Sequence, residues 1–230
     1  MKKIDVTRIE KEQRHQVKDP VIREISLHVT INDSKTIILP CSGQYVNEML
    51  TGYLYTNGYI QTPGDIRSLE YGMKEEKAAI WLDQEKKMLD GLKPQADMKL
   101  PSLKIFELME EFVDLSGQFQ QTGAVHTAAL ASNKGITKYF DDISRHNAID
   151  MIIGWSMLHN EPFDDKCLLL TCRISGSIIS KVVVAGLPMV VSTSAPTDQA
   201  VETAKTQGIA MAGFVRGKRM NVYNREECFT

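Results

Sequence analysis

From Pro101 onward the chain alternates apolar runs too short to be helices with amphipathic stretches of ten or so residues, a rhythm that only a layered α/β fold satisfies. Ile105, Phe106, Met109, Phe112 and Val113 make one helical stripe. Ala124 to Leu130 and Ile136 to Phe140 read as strands joined across Ser132-Asn133-Lys134-Gly135. A helix from Ser144 to Leu158, a buried strand at Leu168 to Thr171 and a helix from Ser177 to Ala185 follow. Met189 to Val191 is a strand, Pro196 to Thr206 a helix capped by Gly208, and Ile209 to Phe214 with Met220 to Tyr223 complete the sheet. The expectation is a mixed sheet with helices on both faces and a largely parallel centre. Ligands of such sheets bind beside the carboxyl ends of the strands.

The first hundred residues read differently. Residues 1 to about 20 are charged and without periodicity, which predicts a flexible arm. Residues 21–100 predict a smaller α+β subdomain. It holds a hairpin (Ile25 to Ile31 and Lys35 to Leu39), a helix from Gln44 to Asn57, and strands at Ile66 to Tyr71 and Ala78 to Leu82. The charge run Gln84-Glu85-Lys86-Lys87 then opens a loop that continues to Pro101. Residues 101–230 form the α/β domain that carries the binding site.

Composition excludes several classes. A net charge of −2 in 230 residues, with both signs interspersed, leaves no electrostatic footprint for nucleic acid or anionic lipid. The opening Met1-Lys2-Lys3-Ile4-Asp5 is unlike a signal peptide, and no run of eighteen apolar residues exists, so a cytoplasmic protein without a membrane partner is expected. The four cysteines Cys41, Cys167, Cys172 and Cys228 make no CxxC pair and no zinc-ribbon spacing, so no bound zinc is expected.

Polar residues cluster where strands give way to helices. Asp141 to Asp150 packs a dense polar run before an apolar helix; Ser144 is placed to cap it through the Asn147 N–H, with Arg145, His146 and Asn147 in a first turn suited to an anion. Arg173-Ile174-Ser175-Gly176-Ser177 resembles a phosphate cradle, although Ser-Gly-Ser equally makes an ordinary turn. Ser192-Thr193-Ser194-Ala195-Pro196-Thr197 repeats the arrangement after the next strand, with proline in the first helical turn. His126 stands at a strand start after the Thr122-Gly123 turn, and Arg216-Gly217-Lys218-Arg219 makes a basic hairpin leading to Asn221. If adjacent strands gather these turns on one edge, they suit a nucleotide-sized anionic ligand.

Some chemistries are disfavoured. A zinc deaminase needs His-x-Glu and Pro-Cys-x-x-Cys, whereas His126 is followed by Thr127-Ala128. Neither Gly-x-Ser-x-Gly nor GxGxxG occurs. A nucleotide-converting enzyme using His126 or His146 as general base stays open.

The order and spacing of these clusters resemble the formate dehydrogenase accessory sulfurtransferase family over residues 22 to 224. The matching stretches are Thr122 to His126, Asp141 to Asp150, Thr171 to Ser175, Ser194 to Thr197, and Phe214, Arg216, Asn221 and Tyr223. Leu50, Gly52, Leu54, Gly58 and Ile60 match more loosely.

The resemblance implies a cytidine-deaminase-like α/β architecture, a homodimer, and delivery of sulfur from a cysteine desulfurase to the molybdenum cofactor of a formate dehydrogenase apoprotein. That cofactor is a bis-molybdopterin guanine dinucleotide, which GDP or GMP would mimic. Carried onto this chain, the implied contacts are His126, Asp142, Arg145, His146, Asn147, Arg173, Ser175, Ser194, Thr197, Arg216 and Asn221.

The departures from the family pattern are specific. The stretch matching the family's sulfur-carrying Cys-x-x-Cys loop, Lys86 to Leu103, has no cysteine. Ser144 replaces a glycine, Asp141 a glutamate and Ser177 a glutamate. Cys172 replaces a glycine beside Arg173, where a lowered pKa would make it the remaining catalytic thiol; the other reading is a buried, inert thiol. The alternative is a cofactor-binding chaperone that has lost sulfur transfer.

Overall fold

The computed structural model describes residues 1–83 and 98–230; the expected charged loop falls mostly outside them. Its centre is a six-stranded sheet in the order β12-β11-β10-β9-β7-β8. The strands are β7 (His126–Ser132), β8 (Gly135–Asp142), β9 (Cys167–Leu170), β10 (Met189–Ser192), β11 (Ala210–Arg216) and β12 (Arg219–Asn224). Strands β9, β10 and β11 are parallel, while β7, paired with both β8 and β9, and β12 on the far edge run antiparallel to their neighbours. This is the mixed α/β sheet with the parallel centre that the alternation predicts.

Period-2 alternation sorts the strand side chains onto two faces. Ala128, Leu130, Leu168, Leu170, Val190 and Met211 join one core, with helices α4 (Arg145–His159), α5 (Gly176–Ala185) and α6 (Asp198–Gln207). Ala129, Ala131, Cys167, Leu169, Met189, Val191, Ala210 and Ala212 join a second core, under α2 (Ser102–Leu115). Helices therefore cover both faces. The short helix α3 (Gly117–Thr122), which its composition did not announce, begins at the cap Ser116, whose hydroxyl accepts the Phe119 N–H.

The first half forms a four-stranded sheet, β4-β3-β6-β5, built from β3 (Ile25–Ile31), β4 (Lys35–Cys41), β5 (Ile66–Gly72) and β6 (Lys77–Leu82). Ile25, Leu27, Val29 and Ile31 point from it into the core shared with α4 and α5, and α1 (Val46–Thr56) lies between. Correcting the expected loose arm, the first twenty residues are an antiparallel hairpin of β1 (Lys2–Glu10) and β2 (Gln13–Val21). Its charges, which argued for disorder, pair across the strands as Lys18–Asp5 and Arg8–Asp19.

Candidate functional site

Strand directions decide where the polar turns meet. Because β8, β9, β10 and β11 all run the same way, their carboxyl ends share one rim, and antiparallel β7 begins there, with His126 opposite Asp142. Hydrogen bonds stitch the rim together. The Thr127 N–H donates to the Thr171 hydroxyl at 2.9 Å, and the hydroxyls of Thr193 and Ser194 donate to the Thr171 carbonyl at 3.2 and 3.1 Å. Arg216 Nε donates to the Thr193 carbonyl at 3.2 Å.

Beside this rim lies a cavity of about 1070 Å³, large enough for a nucleotide. One wall is polar: His126, Thr127, Thr171, Thr193, Ser194, Arg216 and Lys218. The facing wall comes from α2 and α3, with Leu103, Phe106, Val113 and Phe119 beside Glu107 and Glu110. Thr171, Thr193 and Lys218 are not among the contacts implied by the resemblance, although each lies within one of the quoted motifs. Of the helical stripe on α2, Ile105, Met109 and Phe112 are core, whereas Val113 is 40% exposed and lines the cavity with Phe106.

Arg145, His146, Ser175 and Ser177 form a neighbouring group. His146 Nε2 and the Ser177 hydroxyl lie 3.0 Å apart, as do the Ser175 and Ser177 hydroxyls. Burial, reinforced by Arg145, holds the His126 imidazole below its ordinary pKa, and burial with Lys181 and Arg145 does the same to His146. The guanidinium of Arg145 thus acts on both histidines and on Cys172. Its Nε is buried without a hydrogen-bond partner among the described residues, a donor that a phosphate or carboxylate oxygen would satisfy. These residues fit an anionic nucleotide.

Other expected contacts have structural employment. Asp142 is fully buried: one carboxylate oxygen accepts the Ser144 N–H and the Asn147 amide, the other the Ser42 N–H at 2.8 Å. Burial raises its pKa. Asn147 also donates to the Pro40 carbonyl at 2.8 Å, so this pair fastens the first-half sheet to the rim rather than facing a ligand. The cap predicted through the Ser144 hydroxyl is absent, since Asp142 holds the Ser144 backbone instead. Thr197 caps α6 by accepting the Ala200 N–H at 3.3 Å, and Pro196 precedes that helix rather than opening it. Arg173 and Asn221 are exposed on the rim loop and on β12.

Of the two readings of Cys172, the activated catalytic thiol is corrected and the buried thiol is the one the structure has. Its thiol is buried, and that burial pushes it up to about 11 against the opposing pull of Arg145 and Arg173. Cys41, Cys167 and Cys228 are buried as well.

A model of the FdhD/NarQ family matches residues 22–90 and 81–230, nearly the whole chain. The chain belongs to this family. It is 30% identical to the sulfur carrier protein FdhD of Listeria innocua over 98% of this chain and 97% of that one. It is 31% identical to the protein of the same name from Shouchella clausii, covering 92% and 90%, and 29% identical to that of Bacillus subtilis, covering 97% and 95%. A crystal structure assigned as a formate dehydrogenase accessory protein, from Desulfotalea psychrophila, superposes with a TM-score of 0.87 at 23% identity, covering 99% of this chain and 98% of that one. That structure shares the fold. No helix among the described residues is long and apolar enough to cross a membrane.

Proposed function

We propose that this FdhD/NarQ-family chain is a formate dehydrogenase accessory protein that holds the bis-molybdopterin guanine dinucleotide as cargo and assists its maturation or insertion. The observation that carries the reading is the common rim of β8 to β11, where a nucleotide-sized cavity is lined by His126, on which the charge of Arg145 acts, and where the buried Nε of Arg145 has no partner among the described residues. Arg145, Arg216 and Lys218 would take the phosphates, the hydroxyls of Thr193 and Ser194 would orient them by turning their protons from the Thr171 carbonyl, and the apolar wall of α2 would exclude water from a flat ring. Neutral His126 and His146 would donate or accept one hydrogen bond each. The reading carries with it the family's cytidine-deaminase-like layering, its cytoplasmic location and homodimer, and a formate dehydrogenase apoprotein and a cysteine desulfurase as partners.

Isothermal titration with GDP tests it. The expectation is saturable binding to the wild-type chain, weakened about tenfold or more in Arg145→Ala, which removes a charge-assisted contact. A folded protein that gives no heat with GDP overturns the reading.

The buried state of all four cysteines favours the second reading, a cargo holder that transfers no sulfur through its own thiols. Incubation with a cysteine desulfurase and radiolabelled cysteine separates the two. Label retained on Cys172 would establish transfer, and none would establish the holder.

A further inference from the structure

The hairpin of β1 and β2 buries none of its side chains fully, β1 being exposed at every position but Val6, and β1 pairs with β2 alone among the described strands. A two-stranded ribbon is marginal in water, and a third strand is the ordinary remedy. The outer edge of β1 runs for nine residues with no proline, whereas β2 carries Pro20 and lies beside α3. Such an edge is a template for another strand.

The sequence of β1 selects its own copy. In an antiparallel two-fold pairing, facing residues share a side of the sheet, so only registers centred on a residue are allowed. Centring on Val6 aligns the whole strand and sets Lys2 opposite Glu10 of the other copy, twice, with Val6 against Val6 at the axis. The neighbouring registers lose this pairing. Centring on Asp5 opposes the two Asp5 carboxylates and sets Lys2 against Arg8, and centring on Thr7 leaves Lys2 and Lys3 beyond the partner strand's end at Glu10. Within its own hairpin Lys2 faces Val21 and Glu10 faces Gln13, so neither charge is spent on the strand opposite.

We propose that two copies of this chain join through the outer edges of their β1 strands, in the antiparallel register centred on Val6, to make a continuous four-stranded ribbon. This specifies the homodimer proposed above.

Because Cys41, Cys167, Cys172 and Cys228 are buried, Val6→Cys introduces an accessible thiol into this chain. Mild oxidation is expected to give a disulfide-linked dimer, and Glu12→Cys at the hairpin turn, the collision control, is expected to cross-link far more slowly. Reversing one partner, Lys2→Glu or Glu10→Lys, places like charges opposite at two symmetric positions and should weaken dimerisation about tenfold, and the double reversal should restore it. A monomer in sedimentation overturns both the homodimer and its edge. A dimer in which Val6→Cys cross-links no faster than Glu12→Cys, or in which the double reversal fails to recover, overturns the edge alone. GDP binding is indifferent to either result.

Discussion

Gly52 lies so close to Asp150 that a Cβ on the glycine would stand 1.9 Å from the Asp150 carbonyl oxygen. Gly154 makes the reciprocal contact, 2.0 Å from the Glu48 carbonyl oxygen. The helices α1 and α4 therefore meet backbone to backbone, and α4 begins at the rim with Arg145 and His146. Because the obstruction is main chain rather than a movable side chain, Gly52→Ala or Gly154→Ala should cost about 3 kcal/mol, the upper end of ordinary overpacking. Urea unfolding checks it, and a loss under about 1 kcal/mol would show that the helices separate easily.

One turn from that contact, Lys181 reaches the buried Asp150 carboxylate at 2.6 and 2.8 Å and the Thr56 hydroxyl at 2.9 Å, tying α5, α4 and α1 together. Burial raises the Asp150 pKa and Lys181 opposes it. Removing one partner leaves a nearly buried charge unpaired, so Lys181→Met should cost about 3–5 kcal/mol. Lys181→Met with Asp150→Leu should recover much of the loss. A double variant no better than the single one would show that the pair supplies net attraction.

The buried thiols give a direct chemical readout. With Cys41 and Cys172 each raised to about 11 by burial, native protein at pH 8 should react with almost no thiol reagent, and all four cysteines should react in denaturant. Rapid native labelling of Cys172 would return it to consideration as a sulfur carrier.

Much of this architecture was legible because the central strands β9 and β10 are short, almost wholly apolar and set between helices, so periodicity has one solution there. Leu168 to Leu170 and Met189 to Val191 could hardly be anything else. The hairpin of β1 and β2 was not legible, because its faces mix charge with Ile4, Val6 and Val17 and its order comes from cross-strand pairs such as Arg8–Asp19. At the site, motif position identified the rim but not which way each side chain turns. Asp142 and Asn147 look like ligand residues in sequence, and only the distant Ser42 and Pro40 reveal them as fasteners. Nor does Cys172 beside Arg173 betray its burial, which depends on residues far along the chain.

The two rim histidines set a pH dependence. Both are held below 6.5 by burial and by Arg145, so in the folded state they stay neutral where an unfolded histidine has begun to protonate. As pH falls through 6.5, the unfolded chain takes up protons first and folding stability declines, by at most about 1.4 kcal/mol per pH unit for each histidine, until the folded-state values are reached. Above 6.5 this loss is absent. The raised pKa of Asp142 acts with the opposite sign at lower pH, so the wild-type curve alone mixes the contributions. Comparing wild type with His126→Gln/His146→Gln in urea unfolding between pH 7.5 and 5.5 removes the shared terms. The double variant should lose less stability across that interval, and two parallel curves would mean that the imidazoles titrate alike folded and unfolded.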